Sequence, residues 1–141
     1  MIIHMNSAPT LTGLAQRSTS IPIGSLGLAT SGAIHLAVSA SEGQDWAVAG
    51  VSLAVIGVTQ LLLALAIPHD RWHLTEVAAW MGLTVALLWI VSITTGLPIG
   101  PTPGQPEMVT LPGCLVTVAE IITSGWLFHT LSSMEPQGDA T

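Results

Sequence analysis

Residues 21–40, 47–67, 77–97 and 114–133 form four stretches that are each long enough to cross a bilayer. Together they hold no Lys, Arg or Asp and a single Glu, Glu120. A hydrocarbon core of about 30 Å takes roughly 20 predominantly apolar residues of helix to span. The pattern predicts an all-α integral membrane four-helix bundle over residues 21–133. A polar N-terminal segment precedes it at 1–20, and a polar tail follows at 134–141.

Composition matters here for what it excludes. Only 7% of the residues are charged and 50% are hydrophobic, whereas an ordinary soluble domain carries roughly 25% charged residues. So few charges could not cover the surface of a soluble globule of this size. The formal net charge of -6 sets 8 acidic residues against Arg17 and Arg71, with no basic patch. Nucleic-acid binding therefore has no electrostatic footing. One cysteine, Cys114, rules out an intrachain disulfide and CxxC redox chemistry. It thereby also rules out a quinone-linked disulfide oxidase.

The first span is the most polar, with Ser25, Thr30, Ser31, His35 and Ser39 among Gly24, Gly27 and Gly32. Val38-Ser39-Ala40 could resemble a signal-peptide cleavage site, but the apolar region from Ile21 to Ala40 is longer than the usual h-region. A retained span is expected. With four helices, Arg17 and Arg71 fall on one side of the membrane, and the positive-inside rule makes that side cytoplasmic. The expected topology is N-in, C-in, in a cell membrane, with a bacterial inner membrane suspected. Trp46 and Trp72 then sit where indole rings favour the interface.

The external segments are expected at Ser41 to Trp46 and Pro98 to Pro112. In the second, Gly96-Leu97-Pro98-Ile99-Gly100-Pro101-Thr102-Pro103-Gly104-Gln105-Pro106-Glu107 cannot be helix. Proline fixes φ and removes donors, while glycine admits tight turns, so an ordered series of turns or an extended path is expected. It either links a membrane hairpin or caps the outer mouth of the bundle.

Polar residues within the spans carry the functional signal. His35 stands five residues from the outer end of the first span and Glu120 six residues into the fourth. At 1.5 Å per residue both lie about 8–9 Å below the outer boundary. An ionisable group in hydrocarbon costs on the order of 2.5–3.5 kcal/mol on insertion scales and should face a partner inside the bundle. Helical periodicity places Gly24, Gly27, Ser31, Gly32, His35 and Ser39 on one stripe, and Thr117, Glu120 and Ser124 on another. Gln60, with Gly57 and Ala64 on its face, extends the polar interior. The candidate site is thus His35, Gln60 and Glu120, with Glu107 in the loop above. The competing explanation is that these groups only hydrogen-bond the helices together.

Metal and haem arrangements are weaker. His129 lies near the inner end of its helix and about 180° round from Glu120, so a haem held by His35 and His129 does not fit. His69 and His73 flank Asp70-Arg71-Trp72 in what reads as an exposed turn, and two ligands make no closed site. His35, Met108, Cys114 and Glu120 offer imidazole, thioether, thiolate and carboxylate suited to copper, at spacings that match no strong motif.

His35, Glu42 with Asp45 and Trp46, Gln60, the run Ser92 to Pro101 with its GLPxGP core, Pro106-Glu107-Met108-Val109, and Glu120 form one pattern along the chain. In that pattern the chain resembles a group of small bacterial membrane proteins common in actinobacteria. The chain departs from the group at Ile93, where Arg is frequent, at Ser41-Glu42, where a Glu-His pair is frequent, and near Gly113, where an Asp is frequent. The resemblance implies the topology and an outer-face site, and no particular chemistry.

The expected role is non-catalytic: an accessory or binding subunit of a larger membrane complex, in contact with lipid and with other membrane subunits or further copies of itself. No cofactor is expected on the isolated chain. The alternatives are copper or redox handling, and proton-coupled transport through Glu120; no inverted repeat is evident to support the latter.

Overall fold

The computed structural model describes residues 11–69 and 72–134, with side chains over 23–69 and 72–133. Four helices make up the fold: α1 (Leu11–Asp45), α2 (Ala47–Ala66), α3 (His73–Thr94) and α4 (Leu111–Met134). Among the described residues there is no strand. Each helix contains a segment long and apolar enough to cross a membrane. The chain is therefore a small polytopic membrane protein built as an all-α four-helix bundle. Its outward faces present Val51, Val55, Leu62, Leu65, Leu88 and Ile122 to the bilayer. The charge of Arg71, the first ten residues and the tail from 135 lie outside the described residues, as does the side chain of Arg17.

Polar groups on the lipid-facing surface close their own hydrogen bonds. The hydroxyls of Thr30, Thr59, Thr84 and Thr94 donate to the carbonyls of Leu26, Val55, Trp80 and Ile90, one turn back, at 2.7–2.9 Å. A threonine in hydrocarbon has no water to bond, and the carbonyl four residues earlier is the nearest substitute.

Helix ends depart from the hydropathy boundaries in a consistent way. α1 does not stop near residue 40 but runs to Asp45, so most of the expected Ser41 to Trp46 loop is helix. The hydroxyls of Ser39 and Ser41 bond back to Leu36 and Val38. The exposed Glu42 and Asp45 need no apolar surroundings to continue the backbone ladder. Hydropathy marks where lipid ends, whereas a helix ends where something breaks its hydrogen bonding. The break is Trp46 alone, in an extended conformation (φ -149, ψ 105), with its N–H still bonded to Glu42 O at 3.0 Å. α3 lies earlier than the expected 77–97, starting at His73 and ending at Thr94. Glu76 in its first turn suits the helix dipole. At its other end Gly96 takes φ 75 and turns the chain out of the helix, with the N–H groups of Thr95 and Gly96 both on Val91 O.

The helices pair as two hairpins. α1 packs extensively on α2 and α3 on α4, and the hairpins join mainly through α1 against α4, while α2 and α3 barely meet. In a bilayer, where lipid is as apolar as leucine, helix cohesion comes from close packing and interhelical hydrogen bonds. The α1–α2 seam is backbone on backbone: a Cβ on Gly57 would fall 2.7 Å from Gly32 O, and one on Gly32 would fall 2.8 Å from Gly57 O. Any larger residue at either position would force the two helices apart.

The segment between α3 and α4 is an ordered turn series, as its Pro/Gly content predicts. Gly96, Gly100 and Gly104 have φ of 75, 121 and 72. Gly104 N–H donates to Leu97 O at 2.8 Å and Glu107 N–H to Ser92 O at 3.0 Å. Gly100 lies against the ring of Trp46, so the loop reaches from the α3–α4 hairpin across to the start of α2.

This arrangement divides the bundle interior along its length. Towards the α2–α3 turn it is an apolar cluster of Leu28, Leu63, Ala64, Ile67, Ala78, Ala79 and Leu127. Towards the Pro/Gly loop the buried residues include His35, Ser92, Thr117 and Glu120.

Candidate functional site

Three helices converge on one carboxylate. α1 supplies His35, whose Nε2 lies 2.9 Å from Glu120 Oε1. α2 supplies Gln60, whose Nε2–H donates to the same Oε1, also at 2.9 Å. α4 supplies Glu120. All three side chains are buried, Gln60 completely. The depth argument from sequence therefore places His35 and Glu120 together correctly, and the helical face of Gly57, Gln60 and Ala64 is buried as a unit.

Local sequence explains why these side chains can meet. Glycine at positions 32 and 57 brings the α1 and α2 backbones close, so that His35 and Gln60 share one side of the seam. On α4, Thr117, Glu120 and Ser124 stack on one inward face. Opposite it, Gly82 of α3 leaves room for Ser124: a Cβ there would fall 2.6 Å from Ser124 Oγ.

The bonding is incomplete on every member of the cluster. Glu120 Oε2, His35 Nδ1 and Gln60 Oε1 are buried without a hydrogen-bond partner, as are the hydroxyls of Ser31, Ser92 and Thr117. The contrast with the lipid-facing threonines, which bond their own helix, is informative. A buried polar atom without a partner costs about 1–3 kcal/mol, so a cluster of them is either costly packing or an unfilled site.

Chemically, the cluster can hold a proton in more than one place. With Nε2 protonated, His35 donates to Oε1, which then accepts two N–H donors as a carboxylate. With the proton on the carboxyl group, Glu120 donates to a bare Nε2. The remaining acceptors, Oε2 of Glu120 and Oε1 of Gln60, are hard oxygen ligands.

The other candidates separate from this cluster. Glu107 does not join it: its side chain is exposed on the loop and only its backbone N–H reaches inward, to Ser92 O. The reason is the turn series itself, in which every residue from 101 to 110 faces out. Met108 is 87% exposed. Cys114 is partly buried on α4, and it does not gather with His35 and Glu120: among the described residues no three His, Cys, Asp or Glu side chains group as a metal site. The four-ligand copper arrangement is thus not assembled. His129 is exposed, with its ring edge-on to Trp126 at 6.3 Å between centroids, and His35 is committed to Glu120, so the two do not form a haem pair. His69 and His73 are exposed at the α2–α3 turn.

Ser92 was not singled out from sequence as a member of the polar interior. Its position two residues before the end of α3 turns it inward beneath the loop. The available signal was a lone serine in an otherwise apolar turn, just ahead of the Gly-Leu-Pro stop. No protein-family model, curated protein or solved structure matches the chain.

Proposed function

We propose that this protein is a non-catalytic binding subunit of a larger membrane assembly, carrying its ligand site at His35, Gln60 and Glu120. One observation supports the site above all. A single carboxylate oxygen takes hydrogen bonds from two other helices, yet the second oxygen, the far imidazole nitrogen and the amide oxygen stay buried and unpartnered. Helix association needs far less polarity than this, and interhelical hydrogen bonds in one well-studied bundle average only about 0.6 kcal/mol.

The accessory part of the reading is supported by economy of structure. Short connections leave no room for a separate catalytic domain among the described residues, and the apolar helix faces are available to other membrane subunits or to further copies of the chain. The likeness to small actinobacterial membrane proteins supports a bacterial cell membrane. The positive-inside rule supports cytoplasmic termini and, with them, a cluster in the outer half.

The test uses the full-length chain and its Glu120→Gln variant, each extracted gently from its native membrane. Larger membrane subunits should accompany the wild-type chain. Glu120→Gln should keep its melting temperature nearly unchanged while losing whatever activity the assembly shows. A chain that always purifies alone would remove the accessory role, and a variant with unaltered activity would reduce Glu120 to packing.

A further inference from the structure

We infer that the ligand of this site is a proton, taken up from the side of the Pro/Gly loop and held there rather than passed through the membrane. The inference rests on the binding-site reading above and names its ligand. Three observations carry it.

The first is the pairing itself. Glu120 and His35 sit 2.9 Å apart with both side chains buried, and each retains an unpartnered atom, Oε2 and Nδ1. As carboxylate and neutral imidazole the pair bears one net negative charge. Uptake of one proton from water on the loop side leaves it with none, whether as carboxylate with imidazolium or as carboxylic acid with imidazole. No bond other than N–H or O–H forms or breaks.

The second observation is what surrounds the pair. Among the described side chains, α1 contributes no ionisable group to the interior apart from His35, and α4 contributes Glu120 and the partly buried thiol of Cys114. α2 contributes the uncharged Gln60, and the buried polar residues of α3 are Thr75 and Ser92. Glu107 points outward from the loop, and Glu42 and Asp45 are exposed at the end of α1. Among the described residues no neighbouring charge compensates the pair, and hydrocarbon surroundings disfavour an uncompensated one.

The third is the path. Thr117 lies one turn from Glu120 towards the loop, and Ser92 lies beneath the loop, its carbonyl bonded to Glu107 N–H. Both hydroxyls are buried and neither bonds Glu120 Oε2 directly, so a relay from the loop side runs through water bonded to them. In the other direction Ser31 of α1 and Thr123 and Ser124 of α4 are the buried hydroxyls short of the apolar cluster. Ser25, whose hydroxyl is unpartnered, lies beyond Leu28, which is 2% exposed and belongs to that cluster together with Leu63, Ile67 and Leu127. We take protons to enter past Ser92 and Thr117 and the apolar cluster around Leu28, Leu63, Ile67 and Leu127 to close the other end.

The experiment places the full-length chain in lipid nanodiscs and follows infrared difference spectra between about pH 4 and pH 9, a window that covers ordinary carboxyl and imidazole groups. A protonated-carboxyl band should appear together with an imidazole change and vanish in Glu120→Gln. Should that variant not fold, a folded chain in which the other four histidines are replaced by Gln isolates His35 for nitrogen NMR, which must show its ring responding over the same interval. In vesicles, orientation is fixed by labelling a cysteine at Thr102 in a Cys114→Ser background. A pH step on the loop side should give the full infrared response, a step on the opposite side none, and an imposed pH gradient should persist. Silence of both Glu120 and His35 across the titration would overturn the proton assignment, and a response from the opposite side or collapse of the gradient would overturn the closed end. Either result leaves the binding-subunit reading standing if Glu120→Gln still abolishes the activity of the assembly. Unaltered activity in that variant, with an intact titration of the wild-type chain, would break that reading and leave the proton site.

Discussion

The two halves of this bundle solve the same problem with opposite chemistry. Near the α2–α3 turn, Leu28, Leu63, Ile67, Ala78, Ala79 and Leu127 fill the interior with apolar atoms. Near the Pro/Gly loop, the interior is a carboxylate, an imidazole and an amide, with hydroxyls left over. If polarity served only to hold the helices together, the apolar half would need it equally, since it is threaded by the same four helices and faces the same lipid. Among the described residues the apolar half relies on packing and on hydroxyls such as those of Thr75 and Thr130, with no buried carboxylate, imidazole or amide. The polar half therefore carries buried ionisable groups that the other half does without.

That comparison breaks or sharpens under substitution. The largest stability loss is expected in the apolar half: Leu127→Ala, at a side chain only 1% exposed, should cost about 2–5 kcal/mol. Thermal unfolding in detergent measures it, and the infrared and NMR signals of Glu120 and His35 should be unaltered. Next comes Glu120→Leu, which strands the N–H of Gln60 and Nε2 of His35 together, with a stability loss of about 1–3 kcal/mol. Equality with Leu127→Ala would mean that the polar cluster is as structural as the apolar one.

A smaller change is expected for Gln60→Leu. It removes one of two donors to Oε1 and should lower stability by roughly 1 kcal/mol, while shifting the carboxyl stretch of Glu120 through the lost hydrogen bond. An unshifted stretch would show that the amide does not reach the carboxylate. The smallest effect on stability belongs to Thr117→Val. Its hydroxyl is buried without a partner, and an apolar group of the same shape should leave stability unchanged or raised, never lowered. Its consequence should lie instead in slower proton exchange at Glu120, read by the same infrared measurement after a pH step.

Much of this architecture was legible in the sequence because a bilayer leaves few options. Uncharged 20-residue runs imposed the helix count, and the expense of an ionisable group in lipid turned Glu120 inward. A shared depth then selected His35 as its partner. Helix ends were less legible, since hydropathy follows the lipid boundary while Trp46 and Gly96 act on the backbone. Glu107 misled because proximity in sequence to a Pro/Gly turn says nothing about which way a side chain points once several prolines and positive-φ glycines have redirected the chain. Ser92 escaped because its significance depends on α3 ending at Thr94, three residues before the end expected from its apolar run.

The single-residue break at Trp46 also bears on how the protein is made. Because α1 and α2 are joined by one extended residue and locked backbone to backbone at Gly32 and Gly57, they can enter the membrane as one hairpin. Synthesis runs from the N-terminus, so α1 and α2, with His35 and Gln60, are made before α4 brings Glu120. The costliest residue to insert thus arrives at a waiting imidazole and amide, and a chain whose first hairpin has failed to close leaves Glu120 stranded in lipid.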